Sequence, residues 1–179
     1  MIAVVPKLVI LTGPLAAGKN TVADRLAQRL TGRGHTVVVA DVDDVAAMVG
    51  APGAGEAGLW FAAQEAHGAL VGQWMRSDVD YVMAIGPFWT AQEQAALTRS
   101  LPDGVATLWV VINAAVSVTL PRAQADPTRG LSRDPAFHHS THRRFRKLLP
   151  TIPADRTFDS EELDAHQIAA AIMDALGAG

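Results

Sequence analysis

The stretch Leu8-Val9-Ile10-Leu11-Thr12-Gly13-Pro14-Leu15-Ala16-Ala17-Gly18-Lys19-Asn20-Thr21-Val22 decides the reading of this chain. Four consecutive large apolar residues suit a strand buried on both faces, and Thr12-Gly13-Pro14 ends it. From Thr21, the residues Val22, Ala23, Leu26, Ala27 and Leu30 form one apolar stripe opposite Asp24, Arg25, Gln28 and Arg29, which predicts an amphipathic helix that Gly32 and Gly34 stop. Between strand and helix stands a glycine, four residues, then Gly18-Lys19. That spacing lets backbone N–H groups converge on phosphate oxygens without obstruction by Cβ atoms, adds the positive end of a helix, and places a lysine within reach of the outer phosphates.

Working outward, Thr36-Val37-Val38-Val39 predicts a second strand ending in Asp41-Val42-Asp43. Residues 51–58 are too rich in Gly and Ala for regular structure and read as a connection, after which Leu59 to Met75 is helical in pattern. Tyr81-Val82-Met83-Ala84-Ile85 and Thr107-Leu108-Trp109-Val110-Val111-Ile112 are two further strands, and Phe158 with its neighbours a short fifth. Ala114 to Leu120 is an apolar segment ended by Pro121, residues 136–148 read as a helix, and Asp159 to Glu162 as the capped start of a last helix reaching Leu176. Strands alternating with helices imply a parallel sheet covered on both faces, hence an α/β chain of one domain over residues 1–179.

The 179 residues are 49% hydrophobic and 18% charged, which is ample for one core. A formal charge of −3 speaks against general nucleic-acid coating, and the lack of cysteine removes disulfides, thiolate metal sites and a cysteine nucleophile. No apolar run is long enough to span a bilayer, and Met1 to Pro6 lack the basic start of a secretory signal, so the expectation is a cytoplasmic protein without membrane contact. Residues 122–147 hold seven Lys+Arg against two Asp, a local excess of +5 that suits an anionic ligand.

With these segments in view the chain resembles the P-loop small-molecule and nucleotide kinases, particularly the shikimate kinase and gluconate kinase group. The resemblance implies a three-layer P-loop kinase fold with about five parallel strands and a mobile lid. It implies ATP and Mg2+ as cofactors and a small-molecule acceptor. Gly13, Pro14, Ala16, Ala17, Gly18, Lys19, Asn20, Thr21 and Arg122 would bind ATP. Asp41-Val42-Asp43 matches the group's Asp-x-Asp, so Asp41 would help hold magnesium while Asp43 contacts the acceptor. Asn20 takes the place of the hydroxyl residue that normally follows the lysine, and its amide oxygen is an acceptable magnesium ligand. Both acids also suit helix capping. The segment around 122–136 resembles the lid, in which Arg129 and Arg133 would neutralise the transferring phosphoryl group, with Lys19 and Asp43 completing the catalytic set. Arg143, Arg144 and Arg146 are expected only to decorate the following helix.

Residues 42–76 would form the acceptor-binding helical segment, and Trp60, Gly86, Phe88 and Trp89, with Asp43, its substrate contacts. Phe61 reads as core. The carboxylate clamp of shikimate kinases, an arginine directly after a phenylalanine, is absent, because Ala62 follows Phe61; the phosphate-binding arginine of nucleoside monophosphate kinases is absent from Ile85-Gly86-Pro87-Phe88-Trp89. The aromatic groups suit a sugar-like or antibiotic-like acceptor and suit a highly anionic one poorly. A nucleoside or nucleotide kinase and a non-catalytic ATP-binding switch or resistance protein are the alternatives, in a monomer or homodimer. His138 and His142, four apart, read as a surface or phosphate-proximal pair without a third ligand for a metal; His67 and His166 read as helix-surface residues.

Overall fold

A computed structural model describes residues 7–177; Met1 to Pro6, and with them the reading of the chain start, lie outside the described residues. The strands are β1 (Lys7–Thr12), β2 (Val37–Asp41), β3 (Tyr81–Ile85), β4 (Thr107–Asn113) and β5 (Arg156–Asp159), joined in one sheet of order β2-β3-β1-β4-β5 with every pairing parallel. The helices are α1 (Lys19–Thr31), α2 (Val42–Ala46), α3 (Trp60–Trp74), α4 (Ala91–Thr98), α5 (Val116–Ala125), α6 (Pro135–Leu148) and α7 (Ala165–Ala175).

The continuous apolar strands follow from burial on two sides. Val9, Leu11, Met83, Ile85, Val110 and Ile112 pack with Val22 and Leu26 of α1 and Ile168 and Ile172 of α7. Their alternates Leu8, Ile10, Val82, Ala84 and Trp109 pack with Val71 and Met75 at the end of α3 and with Leu97 of α4. A smaller cluster joins Trp89, Val111, Phe145 and Ile152 beneath α6. The result is three layers, helix, sheet, helix, with the strand ends that carry Gly13, Asp41 and Gly86 on one rim.

Four local readings change. Helix α4 is not announced by apolar periodicity, yet it carries a capping box in which the Thr90 hydroxyl accepts the Glu93 N–H and the Glu93 carboxylate accepts the Thr90 N–H. Helix α5 does not stop at Pro121 but runs through it to Ala125. The last helix begins later than Asp159, which ends β5; its capping box is Asp164 with Gln167. The histidines at 67, 138 and 142 are buried rather than superficial, whereas His166 is exposed.

Candidate active site

The loop from Thr12 to Lys19 turns tightly against β4. Gly13 has φ +149°, and a Cβ there would stand 2.0 Å from the Ile112 carbonyl oxygen, so the position excludes any side chain. Gly18 enters α1 at φ +98°, and Ala16 occupies the left-handed region at φ 53°, a conformation costing an alanine roughly 1–2 kcal/mol. The Lys19 ammonium curls over this loop and donates to the carbonyls of Gly13 at 3.2 Å and Pro14 at 2.8 Å. Burial lowers its pKa from 10.5 to about 8, against the opposing pull of Asp43 and Asp41.

Two clefts meet at the loop. The first is lined by Gly13, Gly18, Lys19, Asn20 and Thr21 on one side and by Asp41, Asp43, Trp60, Gly86, Pro87 and Trp89 on the other. The second runs from Ala16, Ala17, Gly18 and Thr21 past Arg122 and Ser160 to Leu163 and Ile168 of the α7 side. Arg129 lines both, and its Nε lies 3.2 Å from Asp126 Oδ2. The Arg122 guanidinium is held by Ser160, through the hydroxyl at 3.0 Å and the carbonyl at 3.3 Å.

Asp41 caps α2 by accepting the Asp43 N–H at 3.0 Å on one oxygen and receives the Asn20 amide N–H at 2.7 Å on the other. The capping use foreseen for these acids therefore falls to Asp41. The bond from Asn20 uses its amide N–H and no hydrogen bond engages its amide oxygen among the described residues, so a hard neutral oxygen and the Asp41 carboxylate both belong to the lining of the cleft, one residue past Lys19. That donor set fits magnesium. No cluster of three or more His, Asp or Glu able to hold a metal occurs among the described residues. Asp43 reaches the cleft mouth, yet the protein around it strips enough water to raise its pKa, and the nearby Asp41 charge raises it further while Lys19 lowers it.

The remaining expected residues divide. Trp60 is half-buried at the cleft. Trp89 lines it but is only 1% exposed, packed on Phe145 with its indole N–H buried and unpartnered. Phe88 does not reach the cleft: it stacks on His67 with ring centroids 5.8 Å apart, underneath Gly86. Arg133 lines neither cleft, because the chain past Gly130 tightens into a 3-10 turn, Leu131–Arg133, and enters α6 at the Asp134 cap.

His67 Nε2 donates to the Ala40 carbonyl, 2.9 Å away, under the end of β2. His138 bridges Thr119 and the Ser132 carbonyl, and His142 meets the Ala114 carbonyl, so each is a packing residue of α5 and α6. Arg144 is more than decoration. It donates to buried Glu93 at 2.8 Å and lies over the Trp89 ring, while the other Glu93 oxygen accepts the Trp89 and Thr90 N–H groups. Sequence reasoning missed this staple; the Thr90-x-x-Glu93 spacing was its one visible sign.

The strand order with a phosphate-binding loop after the central strand defines the fold of the P-loop kinases, one that resembles shikimate kinase. Among solved structures the chain is similar to a Bacteroides thetaiotaomicron shikimate kinase (TM-score 0.69, 15% identity, covering 96% of this chain and 98% of that one). It is also similar to the Mycobacterium tuberculosis APS kinase in complex with AMPPNP and APS (TM-score 0.67, 15% identity, 96% and 98%) and to a Deinococcus radiodurans tunicamycin resistance protein (TM-score 0.65, 16% identity, 96% of each). No family model and no curated protein sequence matches the chain. No helix among the described residues is long and apolar enough to cross a membrane.

Proposed function

We propose that the protein transfers the γ-phosphoryl group of ATP to a hydroxyl of a small metabolite or natural product. One observation carries the reading: Lys19, Asp43 and Arg129 line a single cleft that opens from the phosphate loop. The second cleft suits the nucleoside, with the Arg122 guanidinium at its edge and Leu163 and Ile168 as apolar surface. The similarity to kinases of several small molecules supports the class of reaction, and the tunicamycin resistance neighbour supports a natural-product acceptor among the choices.

In this reading the loop amides and Lys19 hold the phosphates. The acceptor hydroxyl oxygen bonds to the γ-phosphorus as the bond to the bridging oxygen of ADP breaks, and the hydroxyl proton passes to the Asp43 carboxylate. Arg129 offsets charge on the transferring group. The Asn20 amide oxygen and Asp41 would hold magnesium, which would supply positive charge against the phosphates. Residues 122–136 act as the lid and 42–76 as the acceptor-binding segment of one domain.

The test is ADP release from Mg·ATP across hydroxylated metabolites, nucleosides and antibiotics, with Lys19→Ala as control. Asp43→Asn is expected to lower acceptor-dependent turnover by about 10²–10⁴ while leaving AMP-PNP affinity within about threefold. Unchanged turnover would remove Asp43 from the mechanism. Tight ATP binding without transfer to any acceptor would favour the switch, and transfer confined to nucleosides the nucleoside kinase.

A further inference from the structure

The charges of the cleft say more about the acceptor, granted the kinase reading above. The residues lining it include two cations, Lys19 and Arg129. Lys19 springs from the phosphate loop, and Arg129 stands where the two clefts join, so both face the triphosphate. The wall opposite, Asp43, Trp60, Ile85, Gly86, Pro87 and Trp89, has no basic group. Arg144 lies beside that wall, but its charge is committed to the buried Glu93 carboxylate at 2.8 Å.

Asp43, by contrast, has no hydrogen bond to its carboxylate among the described residues. Once a triphosphate occupies the loop, the nearby cations serve it and Asp43 is left without an opposite charge. A carboxylate, sulfate or phosphate on the acceptor would then meet Asp43 and the triphosphate with no cation to pair it, and unpaired like charges are how sites reject ligands. Trp60 supplies the complementary surface. It starts α3, rests on the cluster of Val45, Ala46, Ala54 and Ala63, and keeps part of its indole at the cleft.

We propose that the acceptor carries no anionic group and presents a ring or hydrocarbon face to Trp60 while Asp43 takes its reacting hydroxyl. This separates the protein from its structural neighbours solved with shikimate or APS, both anionic compounds. The specificity residue is Trp60.

A protein-free metabolite extract, spiked with hydroxylated antibiotics, is divided by ion exchange into anion-retained, cation-retained and unretained fractions. Each is incubated with ATP radiolabelled at the γ phosphate, and AMP-PNP binding is measured in parallel. Label is expected in products from the unretained or cation-retained fraction and to vanish with Lys19→Ala. Trp60→Ala should reduce that label about tenfold or more, as loss of an apolar pocket contact does, with Trp60→Phe close to wild type. Label drawn mainly from the anion-retained fraction overturns the proposal while leaving the kinase reading intact. Full turnover in a folded Trp60→Ala protein removes Trp60 from it. No label from any fraction, with AMP-PNP still bound, defeats the kinase reading and this proposal with it.

Discussion

In the proposed reading, Lys19 sets the pH behaviour of nucleotide binding. Its pKa of about 8 reflects burial in the free protein, and phosphate oxygens favour the charged ammonium, so the bound form titrates higher. The sign follows from that order. Below about pH 8 the lysine is charged with or without ligand and affinity is constant; above it, binding must take up a proton, and affinity falls by up to tenfold per pH unit. Calorimetric titration with AMP-PNP between about pH 7 and about pH 9.5 should show this loss, and Lys19→Met should bind weakly with a flat profile over the same window. A flat wild-type profile would mean that Lys19 does not meet the phosphates. Asp43 acts in the opposite limb. Because burial and Asp41 raise its pKa, turnover should fall with acid at a pH above the usual carboxylate range, through a step that Asp43→Asn abolishes.

At the scale of elements, the helix that carries Trp60 to the cleft, α3, is held in close contact with α4. Gly68 and Gly72 lie one turn apart on α3, where a Cβ would stand 2.0 Å from the Ala96 carbonyl oxygen and 2.3 Å from that of Ser100. Alanine is worth about 1 kcal/mol over glycine in a helix interior, but here it meets backbone that cannot rotate away. Gly68→Ala is therefore expected to destabilise by about 1–3 kcal/mol in urea unfolding, while Gly50→Ala, which meets nothing within 4 Å, stays within about 0.5 kcal/mol. Equal stabilities would show that the two helices are not packed this closely. The composition of α4 explains why it was illegible as an amphipathic pattern: its buried side is Glu93, Ala96 and Leu97, and the Glu93 carboxylate is satisfied there by Trp89, Thr90 and Arg144. Apolar periodicity reports a helix whose buried stripe is apolar and whose wet face is polar, whereas α4 buries Glu93 and exposes Ala91 and Ala95.

For the whole molecule, the sheet order puts β1 between β3 and β4, so the phosphate loop opens beside the ends of both neighbours. Clefts in open α/β sheets form at such rims, and the two here share Ala16, Gly18, Thr21 and Arg129. A nucleotide seated there touches α1, the α7 side and the segment carrying Arg129 together, and should stabilise the fold as a unit. At one hundred times its Kd, Mg·AMP-PNP is expected to add about 2.7 kcal/mol, or roughly 5–10 °C in Tm for a chain of this size. Thermal melts read this directly; absence of a shift at saturating nucleotide would argue against nucleotide binding at the rim.

The sequence by itself determined the β1–loop–α1 unit and the apolar strands, and it singled out Lys19, Asp41, Asp43, Trp60 and Arg129, which the fold gathers along one cleft. These signals are local. A strand, a turn and a helix that adjoin in the chain need no distant partner to declare themselves, and residues at strand ends are carried to one rim by any parallel sheet. Only the tertiary structure decided which polar and aromatic side chains go inward. His67, His138 and His142 look like surface residues until the Ala40, Ser132 and Ala114 carbonyls that receive them are in place, each more than five positions away in sequence. Trp89 is buried by Phe145, Arg144 is drawn to Glu93, and Arg133 leaves the cleft as the chain turns into α6. The burial of His67, His142 and Trp89 and the pairing of Arg144 depend on contacts between distant segments, and such contacts leave no periodic trace in the chain.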